Sequence, residues 1–202
     1  MKLYYAPGAC SQAVHIALRE SGLPFRFEKV DVKTKKTETG ADYKAVNPKG
    51  YVPALELDDG QVLTEVQALL QYVGDKKPGT GLTPPPTTME RYRLLEWLAF
   101  ISTELHKQFS PFFVPTTPEE MKTQLRDKIS GRFDYVNEKL AKSQFLLGDT
   151  FTVADGYLFV MTGWARNLKF DTSKWPALNA FAERVGSRPA VQAVLEAEGF
   201  KK

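Results

Sequence analysis

The chain has 202 residues, of which 43% are hydrophobic and 25% charged, proportions that exclude a disordered, collagenous or membrane-spanning protein. Its 27 basic and 24 acidic residues leave a net charge of only +3, and no Lys or Arg run is long enough for a nucleic-acid tail, so neither nucleic acid nor a membrane is expected as a partner. One cysteine, Cys10, rules out an intramolecular disulfide; with no apolar run of signal length in the first residues, a reducing cytoplasm is the expected location.

In chain order, Lys2 to Tyr5 reads as a strand, Pro7-Gly8 as a turn, and Ser11 to Ser21 as a helix whose apolar side carries Val14, Ile16, Ala17 and Leu18. Phe25 to Glu28 alternates like a half-buried strand. Val52 to Leu55 and Gln61 to Leu63 flank Asp58-Asp59-Gly60, a hairpin signal. Thr64-Glu65-Val66-Gln67 then matches a capping box at the start of another helix. The order is β-α-β, a loop, then β-β-α.

Residues 76–88 hold four prolines and two glycines, which suit neither helix nor strand interiors. They divide the chain into an α/β domain over 1–77, a linker over 78–87 and an all-helical domain over 88–202. The helical part begins with a long segment from Met89 to Phe109. Thr117-Pro118-Glu119-Glu120 reads as a second capping box, with proline at the first helical position, and Thr152-Val153-Ala154-Asp155 as a third. Helices over Trp175–Val185 and Ala190–Glu198 are separated by Gly186 and Pro189. Within the long segment Leu94, Leu98, Ile101 and Leu105 recur at helical spacing as a core stripe. At about 100° per residue, Ala99, Thr103 and His106 fall on a different face, so His106 is either a surface histidine or a site residue.

Two residues carry chemistry. Cys10 stands where the Pro-Gly turn enters the first helix, and amides and dipole there can lower a thiol pKa from about 8.5 into the ~3.5–7.5 range; the alternative is a buried, inert thiol. Pro53 opens a strand without a ladder donor, as an ordinary edge-strand proline or next to a cis bond. An N-terminal thiol combined with β-α-β, proline, β-β-α describes a thioredoxin-like unit.

Taken together, M-K-L-Y-Y-A-P-G-A-C-S, N-P-K-G-Y-V-P-A-L, L-T-E-V-Q-A-L-L-Q-Y, E-W-L-A-F-I-S-T-E-L-H-K and F-T-V-A-D-G-Y-L-F resemble the glutathione S-transferases over nearly the whole chain. Cys10 with the T-E-L-H-K segment resembles the bacterial beta class. The resemblance implies a thioredoxin-like N-terminal domain that binds glutathione and an all-α C-terminal domain that helps bind a small hydrophobic electrophile. It implies that Val52 beside cis-Pro53 pairs its backbone with the cysteinyl part of glutathione. Glu65 would accept the γ-glutamyl ammonium, the amide of Val66 would hold the adjoining carboxylate, and Lys35 would meet a peptide carboxylate. Tyr5 and Ser11 are further polar candidates near the sulfur, and His15 is left as structural. Thr103, His106 and Lys107 are assigned across a homodimer interface, with Cys10 and His106 as the catalytic pair and no metal.

Two positions depart from the pattern. Ala99 stands where the class commonly has asparagine, which removes one hydrogen bond across the interface, and Val66 adds β-branched bulk where the class has a small residue. Two thiols sharing one helix start cannot both ionise readily. Cys10 is therefore expected to stay protonated and donate to the glutathione thiolate, or to join it as a mixed disulfide. The alternatives are a glutathione-dependent thiol transferase, peroxidase or dehalogenase, and a non-catalytic ligand-binding or protein-interaction module.

Overall fold

A computed structural model describes residues 1–200, and the chain separates into two compact units, Met1–Thr83 with the segment from Arg188 onward, and Pro84–Ser187.

The first unit is built on a five-stranded sheet of order β3-β2-β1-β4-β5, formed by β1 (Lys2–Tyr5), β2 (Arg26–Asp31), β3 (Lys36–Thr37), β4 (Ala54–Glu56) and β5 (Val62–Thr64). β1 runs parallel to β2, with Leu3 opposite Phe27, and antiparallel to β4, with Leu3 opposite Leu55. A parallel pair needs a crossover, which α1 (Ser11–Ser21) supplies; it ends at Gly22 in the left-handed region, φ 67°, where a side chain would be strained. The β4–β5 hairpin turns where Asp-Gly predicts it, with Gly60 at φ 83°. The two-residue β3 is too short to show a period in sequence.

Strand alternation sends neighbouring residues to opposite faces. Leu3, Leu55, Val14, Leu18, Leu69, Leu70 and Val73 are fully buried, the last three on α2 (Val66–Lys76), which packs on α1. Tyr4, Val30, Tyr43, Val52 and Ala54 form a separate cluster. Burial of each such side chain stabilises the fold by about 1.5–3 kcal/mol before chain entropy opposes it.

The expected helical domain over 88–202 is corrected at its end. The Gly186–Pro189 break is real, but α8 (Pro189–Ala197) packs on α1, with Val191 and Val194 fully buried. Arg188 also grips Glu20 through two bonds of 2.6 and 2.9 Å. Sequence proximity groups this helix with its neighbours, while its apolar face belongs to the first unit. Residues 201 and 202 of that expected domain lie outside the described residues.

The second unit is helical: α3 (Met89–Phe100), a π-helical stretch over Ile101–His106, α4 (Lys107–Phe109), α5 (Glu119–Leu140), α6 (Val153–Asn167) and α7 (Pro176–Gly186). The long helix expected over 89–109 is present, but its i→i+5 turn changes which faces its last residues present. Leu94, Leu98, Ile101 and Leu105 are all at 0% exposure, as the core stripe requires. No helix among the described residues is long and apolar enough to cross a membrane.

Candidate active site

In the first unit the site grows from the turn that carries Cys10. Ser11 is fully buried, and its hydroxyl accepts from the Ala6 amide at 3.1 Å and donates to the Ala6 carbonyl at 3.2 Å. These bonds close the loop over Pro7 and Gly8. Gly8 has φ 67°, where a side chain would be strained, and a Cβ there would stand 2.7 Å from Phe200 Cζ, so the ring would have to shift. Glu198, on the segment after α8, fastens the same turn: one carboxylate oxygen accepts from the Gly8 amide at 2.9 Å and Gln12 Nε2 at 3.0 Å. Its other oxygen meets His15 Nδ1 at 2.9 Å. His15 and Glu198 both have side-chain exposures of 0%. His15 is thus a core histidine, and Glu198 is a site-supporting residue that no local pattern marks, being 183 positions away from its partner.

The Cys10 thiol donates to the Val52 carbonyl at 3.3 Å. Its pKa is pushed up to about 12 by desolvation, against the lowering pull of the amides of Cys10 and Ser11. Of the two readings of the thiol, the direction is that of the buried one: the helix start does point amides at the sulfur, but burial outweighs them. The Val52–Pro53 peptide bond is cis, and Cys10 joins the strand opening to the helix start.

Glu65 sits at φ 72°, ψ 121°, a left-handed backbone that costs a non-glycine residue on the order of 1–3 kcal/mol. The expected capping box over Thr64–Gln67 does not form: α2 starts at Val66 with no side-chain cap, because Glu65 turns its exposed carboxylate outward to Lys49 Nζ. Lys49 also donates to Thr64 Oγ1 at 2.7 Å, a role that no local sequence pattern marks. The α2 start thus offers main-chain amides to an anion, beside a carboxylate able to receive a cation. Lys35, at φ 58°, reaches Gly50 O at 2.9 Å and lies over the Tyr51 ring.

Tyr5 does not join this group. It is 5% exposed and its ring packs on His15 and Phe27 at 5.8 and 5.6 Å, because β1 alternation points it to the other face from Tyr4. The Ser11 hydroxyl is likewise bonded within the turn, to the Ala6 amide and carbonyl.

In the second unit Thr103 and Lys107 are exposed, and Thr103 Oγ1 donates back to the Ala99 carbonyl at 3.0 Å. His106 is half-buried: its Nδ1 lies 2.6 Å from the Tyr157 hydroxyl, and its ring stands edge-on to Trp164 at 5.1 Å. A plain α-helical projection put it with Ala99 and Thr103; the π turn carries it round to its own unit's aromatic cluster. Phe113 and Phe109 also pack on Trp164, at 5.0 and 5.8 Å.

α6, which carries Tyr157 and Trp164, is fixed by the capping box expected at Thr152–Asp155. Asp155 accepts from the Leu146 amide and the Thr152 amide, both at 2.8 Å, and from the Thr152 hydroxyl at 2.9 Å. Fully buried, its carboxyl is pushed up to about 6 by desolvation, the three donors offsetting part of the effect. The box expected at Thr117–Glu120 does not form, since α5 begins at Glu119 with Pro118 at its N-cap and no side-chain cap. Among the described residues, no group of three or more His, Cys, Asp or Glu could hold a metal ion.

Residues 8–76 match the model of the glutathione S-transferase N-terminal domain, and residues 100–189 that of the C-terminal domain. The chain is 49% identical over 201 residues to glutathione S-transferase GstA of Escherichia coli O157:H7, covering 100% of both proteins. It belongs to the glutathione S-transferase family. A second family member, glutathione S-transferase GST-4.5 of Xanthomonas campestris pv. campestris, is 41% identical over 99% of this chain and 100% of its own. Among solved family structures, the ternary complex of BphK, a bacterial transferase, superposes with a TM-score of 0.97 at 53% identity, covering 98% of this chain and 100% of that one. A sphingomonad enzyme complexed with glutathione does so with a TM-score of 0.96 at 46% identity, covering 100% of each. The bacterial beta-class enzyme of Sphingomonas chungbukensis gives the same figures.

Proposed function

We propose that the chain is a cytoplasmic, homodimeric transferase that conjugates the thiolate of glutathione to small hydrophobic electrophiles. The observation that carries this reading is the Cys10 thiol, 3.3 Å from the Val52 carbonyl, at the start of a helix that no side chain caps. Val52, next to cis-Pro53, pairs strand-fashion with the cysteinyl part of the tripeptide. Glu65 exchanges Lys49 for the γ-glutamyl ammonium, and the amides of Val66 and Gln67 receive the α-carboxylate. Lys35 adds charge for a second carboxylate.

The glutathione sulfur then lies against the start of α1, where the Cys10 S–H turns from Val52 to donate to it. A thiolate is favoured there because its charge is met by amides and by a hydrogen-bond donor rather than by a second thiolate. Its proton leaves to solvent. With an aryl halide, the thiolate forms the carbon–sulfur bond and the halide departs with its electron pair. Trp164, Phe113 and Phe109 form an apolar aromatic cluster within the second unit. Thr103, His106 and Lys107 are assigned to the partner subunit's glutathione site, and Ala99 offers no side-chain donor there.

Exchange chemistry is the weaker activity in this reading. Burial pushes the Cys10 thiol up, and the thiolate is the attacking species in exchange. The reading is tested by measuring glutathione binding and aryl-halide turnover on the same protein. Binding with turnover supports it; binding without turnover makes the chain a ligand-binding module instead.

A further inference from the structure

We infer that Tyr157 is a positioning residue: it fixes the tautomer and the orientation of the His106 imidazole. The inference rests on the reading above that His106 belongs to the transferase site. Tyr157 is at 0% exposure on α6, two positions after the Asp155 carboxylate that clamps the start of that helix. Its hydroxyl meets His106 Nδ1 at 2.6 Å. Its ring stands against the imidazole at 5.8 Å and 85°, while Trp164 holds a second side at 5.1 Å and 74°. The imidazole is thus gripped by one short hydrogen bond and two ring edges, all from α6.

The backbone is arranged for the same end. His106 closes the π-helical stretch, and an i→i+5 turn advances each residue less than an α turn does, which rotates the imidazole from the face of Thr103 toward α6. Such turns concentrate at functional sites. A phenol hydroxyl is a better donor than acceptor, and the basic partner is an imidazole nitrogen. Tyr157 therefore donates, Nδ1 accepts, and a neutral ring carries its proton on Nε2. Without that bond the two tautomers compete, and part of the protein presents the wrong ring nitrogen to a reacting group.

The chain has only two histidines, so ¹⁵N-imidazole NMR resolves both, and His106→Gln assigns the signal. In the full-length wild-type protein, Nδ1 of His106 is expected at the shift of an unprotonated nitrogen and Nε2 at that of a protonated one. A protonated Nδ1 overturns the inference without any variant being needed. Tyr157→Phe keeps both ring contacts and removes only the hydroxyl; it is expected to mix the tautomers and to lower kcat about fivefold to tenfold, with KM for glutathione changed less than twofold. An unchanged tautomer ratio in Tyr157→Phe also overturns it. Full activity in His106→Gln defeats the role given to His106, while the NMR result still decides what Tyr157 does.

Discussion

The helices of the two units begin in different ways. In the first unit neither α1 nor α2 has a side-chain cap: their N-cap positions are held by Cys10 and by Glu65, whose carboxylate faces Lys49. In the second unit Thr88 Oγ1 accepts from the Arg91 amide at the start of α3. Asn137 of α5 accepts from two amides of α7, at 3.0 and 3.1 Å, and Asp155 anchors α6. Helix starts present amides that must be satisfied. Side-chain acceptors meet the starts of α3, α6 and α7 in the second unit, whereas α1 and α2 begin without one, the kind of start that can receive an anion.

This contrast predicts that removing an acceptor from a capped start damages folding, while removing the acid beside a ligand start damages binding. The largest effect is expected at Asp155. Asp155→Ala strands three donors among buried groups, each costing about 1–3 kcal/mol, besides the loss of a cap. A destabilisation of about 3–5 kcal/mol in urea unfolding is expected; a value under 1 kcal/mol would show that the box is dispensable.

The same residue predicts a pH dependence. Its carboxyl is at about 6 in the folded chain, against an ordinary 3.8, so between those values the folded state binds more protons than the unfolded one. Stability then falls as pH rises from about 4 to about 6, by up to roughly 3 kcal/mol from this group, and is flat above. Glu28 acts oppositely: Lys2 and Thr39 hold it down to about 2 although its burial opposes them, so its contribution is present above about pH 4.5 and lost as pH falls through 2. The Asp155 share is isolated by subtracting the Asp155→Ala curve from the wild-type curve; a difference that does not slope between pH 4 and 6 refutes the assignment.

Much of this contrast is legible in sequence, and the failures have physical causes. Thr152-Val153-Ala154-Asp155 is legible because a capping box is local: donor and acceptor are three residues apart. Thr64–Gln67 has the same spelling, but the left-handed backbone at Glu65 turns its side chain outward, and no pattern encodes that dihedral. The surroundings of Tyr5 and Ser11 are not local either, since the sheet face that Tyr5 joins decides its ring partners and the closing of the turn sets the bonds of the Ser11 hydroxyl. Glu198 is invisible because its partners are near the other end of the chain. His106 is misprojected because one π turn breaks the 100° rule that reads Leu94 to Leu105 correctly.

At the ligand start, Glu65→Ala sharpens the comparison. The side chain is 72% exposed and its ion pair with Lys49 lies at the surface, where such pairs contribute about 0–1 kcal/mol. Unfolding midpoints should barely move. KM for glutathione should rise about tenfold to a hundredfold, the range for losing a hydrogen bond to a charged group. A variant that unfolds readily but binds glutathione normally would reverse the roles of the two kinds of helix start.

The smallest effect on conjugation is expected at Cys10. If the amides of α1 supply most of the field for the glutathione thiolate, losing one S–H donor removes a minor part of it, and Cys10→Ala should keep conjugation within about fivefold. Disulfide exchange has no such reserve, because its covalent partner is the deleted sulfur, so that activity should vanish. Stability should change by no more than about 1 kcal/mol, since the thiol makes one weak bond to the Val52 carbonyl and packs as a small apolar group. Parallel assays of both activities decide the matter. Equal loss of conjugation and exchange would mean that the sulfur of Cys10, and not the helix start behind it, holds the charge of the bound tripeptide.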